Sequence, residues 1–359
     1  MRTTPSYANI WSGARGRRVK IHAESFVDLL DAYGREHPPS LSLGADEDIP
    51  EWQSRFRSAV QPLRGPVPAR VALSVDIVES VPEPDHTRHL LRIRVSRVST
   101  LIAYLLVPDG IAEGERRPGL IVSHGHATYG IDSVCGVRGM DEDDGARRAY
   151  ALFAVRSGYV VLAPAWWGWA GRDGHLDRVG SRDRCNVIQM AAGMYGLNPL
   201  DLHIQDGQAA VDALCARPEV DVERIGCIGN SYGGRTTMWL TIFDERIRAC
   251  VSAGAMNTFR ERSLKLSSCG IQYLPGILRY GDTPELFSLI APRPMQLQAG
   301  AGDGLITDED RDHIEATVRR AYASLGASSR YDYQAHPSGH LLDWERAAPF
   351  LAAHLNHGR

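Results

Sequence analysis

Hydrophobic positions along the chain follow two patterns that change near residue 65. Before it, apolar residues recur at helical spacing in residues 23–33 (AESFVDLLDAY) and 50–63 (PEWQSRFRSAVQPL), separated by the Pro/Ser/Gly-containing segment 37–44. After it, residues 71–77, 90–98 and 101–107 are rich in Val, Ile and Leu, with polar interruptions near period two, and predict neighbouring, largely antiparallel strands. Then short β-favouring runs begin to alternate with helical stretches. The runs are 119–123 (GLIVS), 159–163 (YVVLA), 224–228 (RIGCI), 247–252 (IRACVS), 295–299 (MQLQA) and 330–335 (RYDYQA). The stretches are 145–155, 200–216, 232–242, 308–325 and 341–355. That alternation predicts an α/β fold with a mostly parallel sheet covered by helices on both faces. The expected organisation is an N-terminal helical extension over 1–65 and one main domain over 66–359.

Whole-chain properties narrow the class. At 359 residues, 43% hydrophobic and 23% charged, the composition is that of a globular protein. A net charge of −3, from 40 basic against 43 acidic residues, provides no field for nucleic acid and favours a small or neutral substrate. The N-terminus lacks a signal-peptide core, and no apolar run is long enough for a membrane span. The six cysteines are scattered, with no CxxC, so reduced thiols and a cytoplasmic location are expected. The basic cluster Arg15, Arg17, Arg18 and Lys20 reads as a solvated arm. The acidic run 141–144 precedes a helix, where negative charge suits the dipole.

Candidate chemistry centres on Gly229-Asn230-Ser231-Tyr232-Gly233, a G-x-S-x-G pattern between a strand and a helix. A serine on so tight a turn needs glycines at −2 and +2, because side chains there would strike neighbouring chain. The turn exposes Oγ beside a helix N-terminus. Serine becomes a nucleophile when a histidine takes its proton and a carboxylate orients that histidine. Asp303 and His340 stand on loops after late strands, in the order Ser–Asp–His. Rivals exist: His336 lies at a strand end before Pro337, and His313 reads as helical. Asp308 and Asp310 open a helix, and Asp332 lies within a strand. Two backbone N–H donors should hold the oxyanion, one from Tyr232 and one from His126 or a neighbour in Ser123-His124-Gly125-His126. The H-x-H pair has no nearby third ligand, so no metal and no cofactor are expected.

In LIVSHGH, GYVVLAPAWWGWAGR, RPEVDVERIGCIGNSYGG, DERIRACVSAG, LIAPRPMQLQAGAGD and HPSGH, the chain resembles the α/β-hydrolase superfamily. Within it the likeness is to the dienelactone hydrolase-like and acetyl xylan esterase-like branch, over residues 101–354. The resemblance implies a metal-free serine esterase acting on acetyl or other short-acyl esters. Its roles fall on Ser231, Asp303 and His340, with backbone donors at His126 and Tyr232. Dienelactone hydrolases proper carry a cysteine nucleophile where this chain has serine, which favours an ordinary esterase. Trp166-Trp167-Gly168-Trp169 replaces the family's acidic or glycine-rich segment. Trp166 and Trp167 either line the acyl or leaving-group pocket or pack as a hydrophobic lid. Residues 269–280 are expected as a cap-like insertion, with Tyr273 near the substrate. The partner is thus a small-molecule ester, with no nucleic acid and no membrane; a homo-oligomer is compatible with the sequence. A peptidase or amidase on the same triad, and a non-catalytic binding protein on the same scaffold, are the competing readings.

Overall fold

The structure, a computed structural model, describes residues 7–12, 17–141, 144–172, 184–265 and 268–356, with only the backbone of 7–12 and 17–22. Arg15 of the basic cluster, and Glu142 and Asp143 of the acidic run, lie outside the described residues.

An antiparallel pair, β1 (Tyr7–Ser12) and β2 (Arg17–His22), comes first, then helices α1 (Phe26–Glu36) and α2 (Ile49–Val60). The strand pair precedes the two helices read from the sequence and takes up the alternating run RRVKIH. Ser25 and Asp48 cap the two helices with side-chain bonds to Asp28 and Glu51 amides. Trp52, Phe56 and Val60 on one face of α2 are buried in the main core. On the same helix, Arg57 Nη2 donates to the Leu289 carbonyl at 2.8 Å and Gln53 Nε2 to that of Ala291 at 2.8 Å. α2 is therefore bolted to the body by both apolar and polar contacts.

Three antiparallel strands follow, β3 (Arg70–Pro82), β4 (His86–Ser96) and β5 (Thr100–Pro108). β6 (Arg117–Ser123) leads through α3 (Ile131–Val134), α4 (Gly145–Arg148) and α5 (Tyr150–Arg156) to β7 (Val160–Pro164). α6 (Arg184–Met194) and α7 (Pro199–Cys215) precede β8 (Val220–Asn230), α8 (Tyr232–Phe243) and β9 (Ile247–Ala253). α9 (Phe259–Leu264) and α10 (Thr283–Ser288) separate β9 from β10 (Met295–Gly300). The chain continues with α11 (Asp308–Ser324), β11 (Tyr331–His336) and α12 (Trp344–Leu351).

β3 to β11 form one nine-stranded sheet in the order β11-β10-β9-β8-β6-β7-β5-β4-β3. Pairing is parallel from β7 to β11 across the sheet and antiparallel among β3, β4, β5 and the β5–β7 contact. Two apolar clusters cover its two faces, as a sheet buried on both sides requires. The mostly parallel sheet with helices on both faces agrees with the sequence pattern. The predicted helix over 145–155 is broken at Ala149, whose φ/ψ of −82°/47° is not helical. The chain passes from β6 to β7 on one side and from β7 back across β6 to β8 on the other, so the strand order reverses and a crevice opens at the C-terminal ends of β6 and β8.

Candidate active site

Ser231 stands at that crevice, between β8 and α8, with φ 62° and ψ −122°. A positive φ is strained for a residue with a Cβ, and here the surroundings enforce it. The Ser231 amide donates to the Ala253 carbonyl at 2.8 Å, anchoring the turn to β9. A Cβ on Gly229 would lie 2.4 Å from the Gly233 carbonyl oxygen, and one on Gly233 only 2.1 Å from that of Ser123. Both glycines of the pentapeptide are therefore demanded by backbone contact.

His340 and Asp303 meet on neighbouring loops beyond β11 and β10. His340 Nδ1 lies 2.6 Å from Asp303 Oδ2, and the Asp303 side chain is buried. The other Asp303 oxygen accepts from the Leu305 amide at 3.0 Å, which fixes the carboxylate plane. Asn230 Nδ2 donates to the His340 carbonyl at 3.1 Å, tying the histidine loop to the elbow. His340 Nε2 makes no hydrogen bond among the described residues, and His340 shares with Ser231 a cavity of about 440 Å³. The rival residues lie elsewhere. His336 is buried at the end of β11, and burial lowers its pKa; His313 is exposed on α11. Asp310 accepts from Thr258, Asp308 pairs with Arg311, and Asp332 accepts from Gln296.

Tyr232 is the first residue of α8, so its N–H has no intrahelical acceptor. Its buried ring stacks on Trp169 at 5.5 Å, and its hydroxyl lies 2.7 Å from His203 Nδ1. His126 enters from the loop after β6 and lines the cavity beside Ser231. His124 controls this loop. Its Nε2 accepts from the Trp166 amide at 3.2 Å, so Nδ1 carries the proton and donates to the Gly125 carbonyl at 2.9 Å. The Ala127 amide holds that same oxygen at 2.9 Å. Gly125 C=O and His126 N–H belong to one trans peptide and point in opposite directions. Fixing the first therefore aims the second. Burial lowers the His124 pKa to about 4, keeping the ring neutral for this role.

Of the pocket residues expected from the sequence, Trp166, Trp167 and Tyr273 are not among those lining the cavity. Trp166 is fully buried beneath the site, packed edge-on against His203 at 5.7 Å. Arg172 covers the Trp167 ring at 3.9 Å, and Tyr273 lines a separate apolar hollow beside α1. The insertion over 269–280 does reach the cavity, through Cys269 and Gln272. Arg235, one turn into α8, lines it too and was not singled out from the sequence. Its signal was a lone charge in YGGRTTMWLTIF, a helix otherwise free of charge.

His124 is turned into the core with both ring nitrogens engaged, so it forms no chelate with His126. Among the described residues, His126, Cys185 and Cys269 bring three ligand atoms within 4.8 Å of one another. As a donor set they suit a soft cation such as Zn²⁺.

Comparisons with known proteins agree with this architecture. Residues 203–276, which include the elbow, match the family model described as "BAAT / Acyl-CoA thioester hydrolase C terminal". The chain is 32% identical over 187 residues to "Putative hydrolase YtaP" of Bacillus subtilis. That match takes in 51% of this chain and 60% of the relative, so the chain spans less than two thirds of the curated relative's length. Among solved structures it resembles a "putative acetyl xylan esterase" from Bacteroides fragilis. The TM-score is 0.71 at 19% identity, over 91% of this chain and 85% of the other. It also resembles a glucuronoyl esterase from Solibacter usitatus, with TM-score 0.63 at 17% identity over 88% and 97% of the two chains. With its sheet order, its strand-to-helix elbow and these matches to hydrolases and esterases, the chain has the α/β-hydrolase fold.

Proposed function

We propose that the chain is a serine esterase that cleaves a carboxylic ester of short acyl length through an acyl-enzyme on Ser231. One observation carries the reading: a serine on a strained elbow shares a cavity with a histidine whose far nitrogen is gripped by a buried carboxylate at 2.6 Å. His340 Nε2 takes the Ser231 proton as Oγ attacks the ester carbonyl. The N–H groups of Tyr232 and His126 receive the oxyanion. The tetrahedral adduct expels the alcohol, which takes the proton from His340. Water then repeats the sequence on the acyl-enzyme, returning Ser231 and releasing the acid. Asp303 holds the imidazole in the required tautomer and stabilises its charged form.

Relatives named as esterases support the choice of bond. A thioester is the second reading, because the family model spanning Ser231 is described as a thioester hydrolase; the steps are the same with a thiol leaving. We further take residues 1–65 as an extension of a hydrolase domain over 66–359, and the six free cysteines as those of a cytoplasmic protein. The test is turnover of p-nitrophenyl acetate, longer acyl esters, an acyl thioester and an aminoacyl anilide, beside Ser231→Ala. Ester turnover that is lost in Ser231→Ala is the expected result. Turnover that survives the substitution removes the nucleophile; anilide turnover without ester turnover makes the protein a peptidase.

A further inference from the structure

Among the described residues, the cavity holding Ser231 is lined by two guanidinium groups, from Arg235 and Arg262, and by no carboxylate. Arg235 is the more informative, being only 2% exposed. Its Nη1 donates to Thr283 Oγ1 at 2.7 Å, and Nη2 donates to the Asn257 carbonyl and, at 2.5 Å, to Asn257 Oδ1. Its guanidinium also lies over the Phe259 ring at 4.4 Å. All these partners are neutral, and its Nε–H donates to no group among the described residues.

The nearest acids are engaged elsewhere. Asp282 accepts from the Phe259 amide at 2.6 Å and the Arg260 amide at 3.0 Å. Asp310 accepts from the Thr258 amide at 2.8 Å and its hydroxyl at 3.0 Å. Burial lowers the Arg235 pKa to about 10, which leaves it charged at neutral pH. A buried cation without an ionic partner is costly. A brace between α8, Asn257 and α10 needs hydrogen-bond donors but not a positive charge. No described carboxylate pairs with Arg235, and the charge is explained if its counter-ion arrives with the substrate. Carboxylate is an anion that a guanidinium N–H holds through a short, charge-assisted hydrogen bond.

We propose that Arg235 binds a carboxylate carried by the ester substrate itself, so that the enzyme prefers esters whose acid or alcohol part bears a second, free carboxyl group. The proposal rests on the esterase reading above. Arg235 follows Ser231 by four residues, a helical rise of about 6 Å, so that carboxylate stands only a few bonds from the scissile ester.

The test uses two matched substrate pairs on the full chain. Mono-4-nitrophenyl adipate against its methyl ester probes the acyl side, and 4-acetoxybenzoate against methyl 4-acetoxybenzoate the alcohol side. In at least one pair the free acid is expected to show kcat/KM higher by about tenfold or more, mainly through KM. In Arg235→Met that ratio falls to near one, and Arg235→Lys restores part of it. Each ratio compares two substrates on one protein, so a variant with less folded material lowers both members and leaves the ratio intact. A wild-type ratio at or below one in both pairs overturns the proposal without needing the variant, as does a preference that persists in Arg235→Met. Either result leaves the esterase reading standing, whereas absence of turnover on every ester would remove that reading.

Discussion

Gly233→Ala measures how firmly the Ser231 turn is pressed against the end of β6. The added Cβ would lie 2.1 Å from the Ser123 carbonyl oxygen and 2.8 Å from that of His124. Both obstacles are main chain, and the Ser123 oxygen is itself held by the Tyr150 hydroxyl at 2.7 Å, so no flexible side chain can yield. Non-bonded contacts are comfortable near about 3.5 Å, so elbow and strand must part by more than about 1 Å. Overpacking of this kind costs about 1–3 kcal/mol in stability. A displacement of about 1 Å between reacting groups costs on the order of 100-fold in rate. The matched control is Gly193→Ala on α6, where a Cβ meets nothing within 4 Å. There the change to alanine should gain about 0.5–1 kcal/mol by helix propensity and leave turnover alone. The assay is p-nitrophenyl ester turnover together with thermal denaturation of both variants. Gly233→Ala with wild-type kcat and an unchanged melting temperature would refute the claim that this contact sets the elbow.

Asp303→Asn should lower kcat by about 10⁴-fold with far-ultraviolet circular dichroism unchanged, because the imidazole loses its tautomer lock; a loss confined to KM would contradict the assigned role. The neutral, buried His124 links stability to pH. Its folded pKa of about 4 lies below the ordinary 6.5, so the unfolded chain takes the proton first. Its contribution is therefore complete above pH 6.5 and drains away as pH falls toward 4. That span is worth roughly 3 kcal/mol, to which His203, driven the same way by burial, adds. Urea midpoints across this range should slope less in His124→Asn, and parallel slopes would exclude His124 as the source. Trp52→Ala should cost about 3–5 kcal/mol in denaturant unfolding by leaving a void where α2 docks. A small cost would mean that Phe56, Val60, Arg57 and Gln53 hold α2 without Trp52.

Much of this was legible in the sequence because the responsible forces are local. Apart from the half-buried edge strand β11, the strands of the parallel half contain short runs of buried residues, visible without their partners. Ser231 and Asp303 each follow such a run and His340 follows β11, whose apolar and aromatic alternation is the weaker signal; the order of strands along the chain puts all three at one sheet edge. What escaped depended on contacts distant in sequence. α6 has an irregular mixture of apolar and polar residues, and Cys185 is its one buried residue. Trp166 and Trp167 were ambiguous because tryptophan serves cores and pockets equally well; only the positions of His203 and Arg172 decide. Arg235 was passed over because arginine within a helix normally faces solvent, and its surroundings come from Asn257, Phe259 and Thr283.

The backbone of Ser231 also bears on how such a protein changes over generations. With φ at 62°, the position is one that glycine adopts freely and that serine or alanine occupies under strain of order 1–3 kcal/mol. Selection for turnover and selection for stability therefore pull in opposite directions at this one site. A lineage released from the need to hydrolyse its substrate would gain thermal robustness by drifting to glycine there, keeping the scaffold while losing the reaction. On the proposed role of Ser231, serine keeps this uncomfortable position only for as long as the reaction is needed.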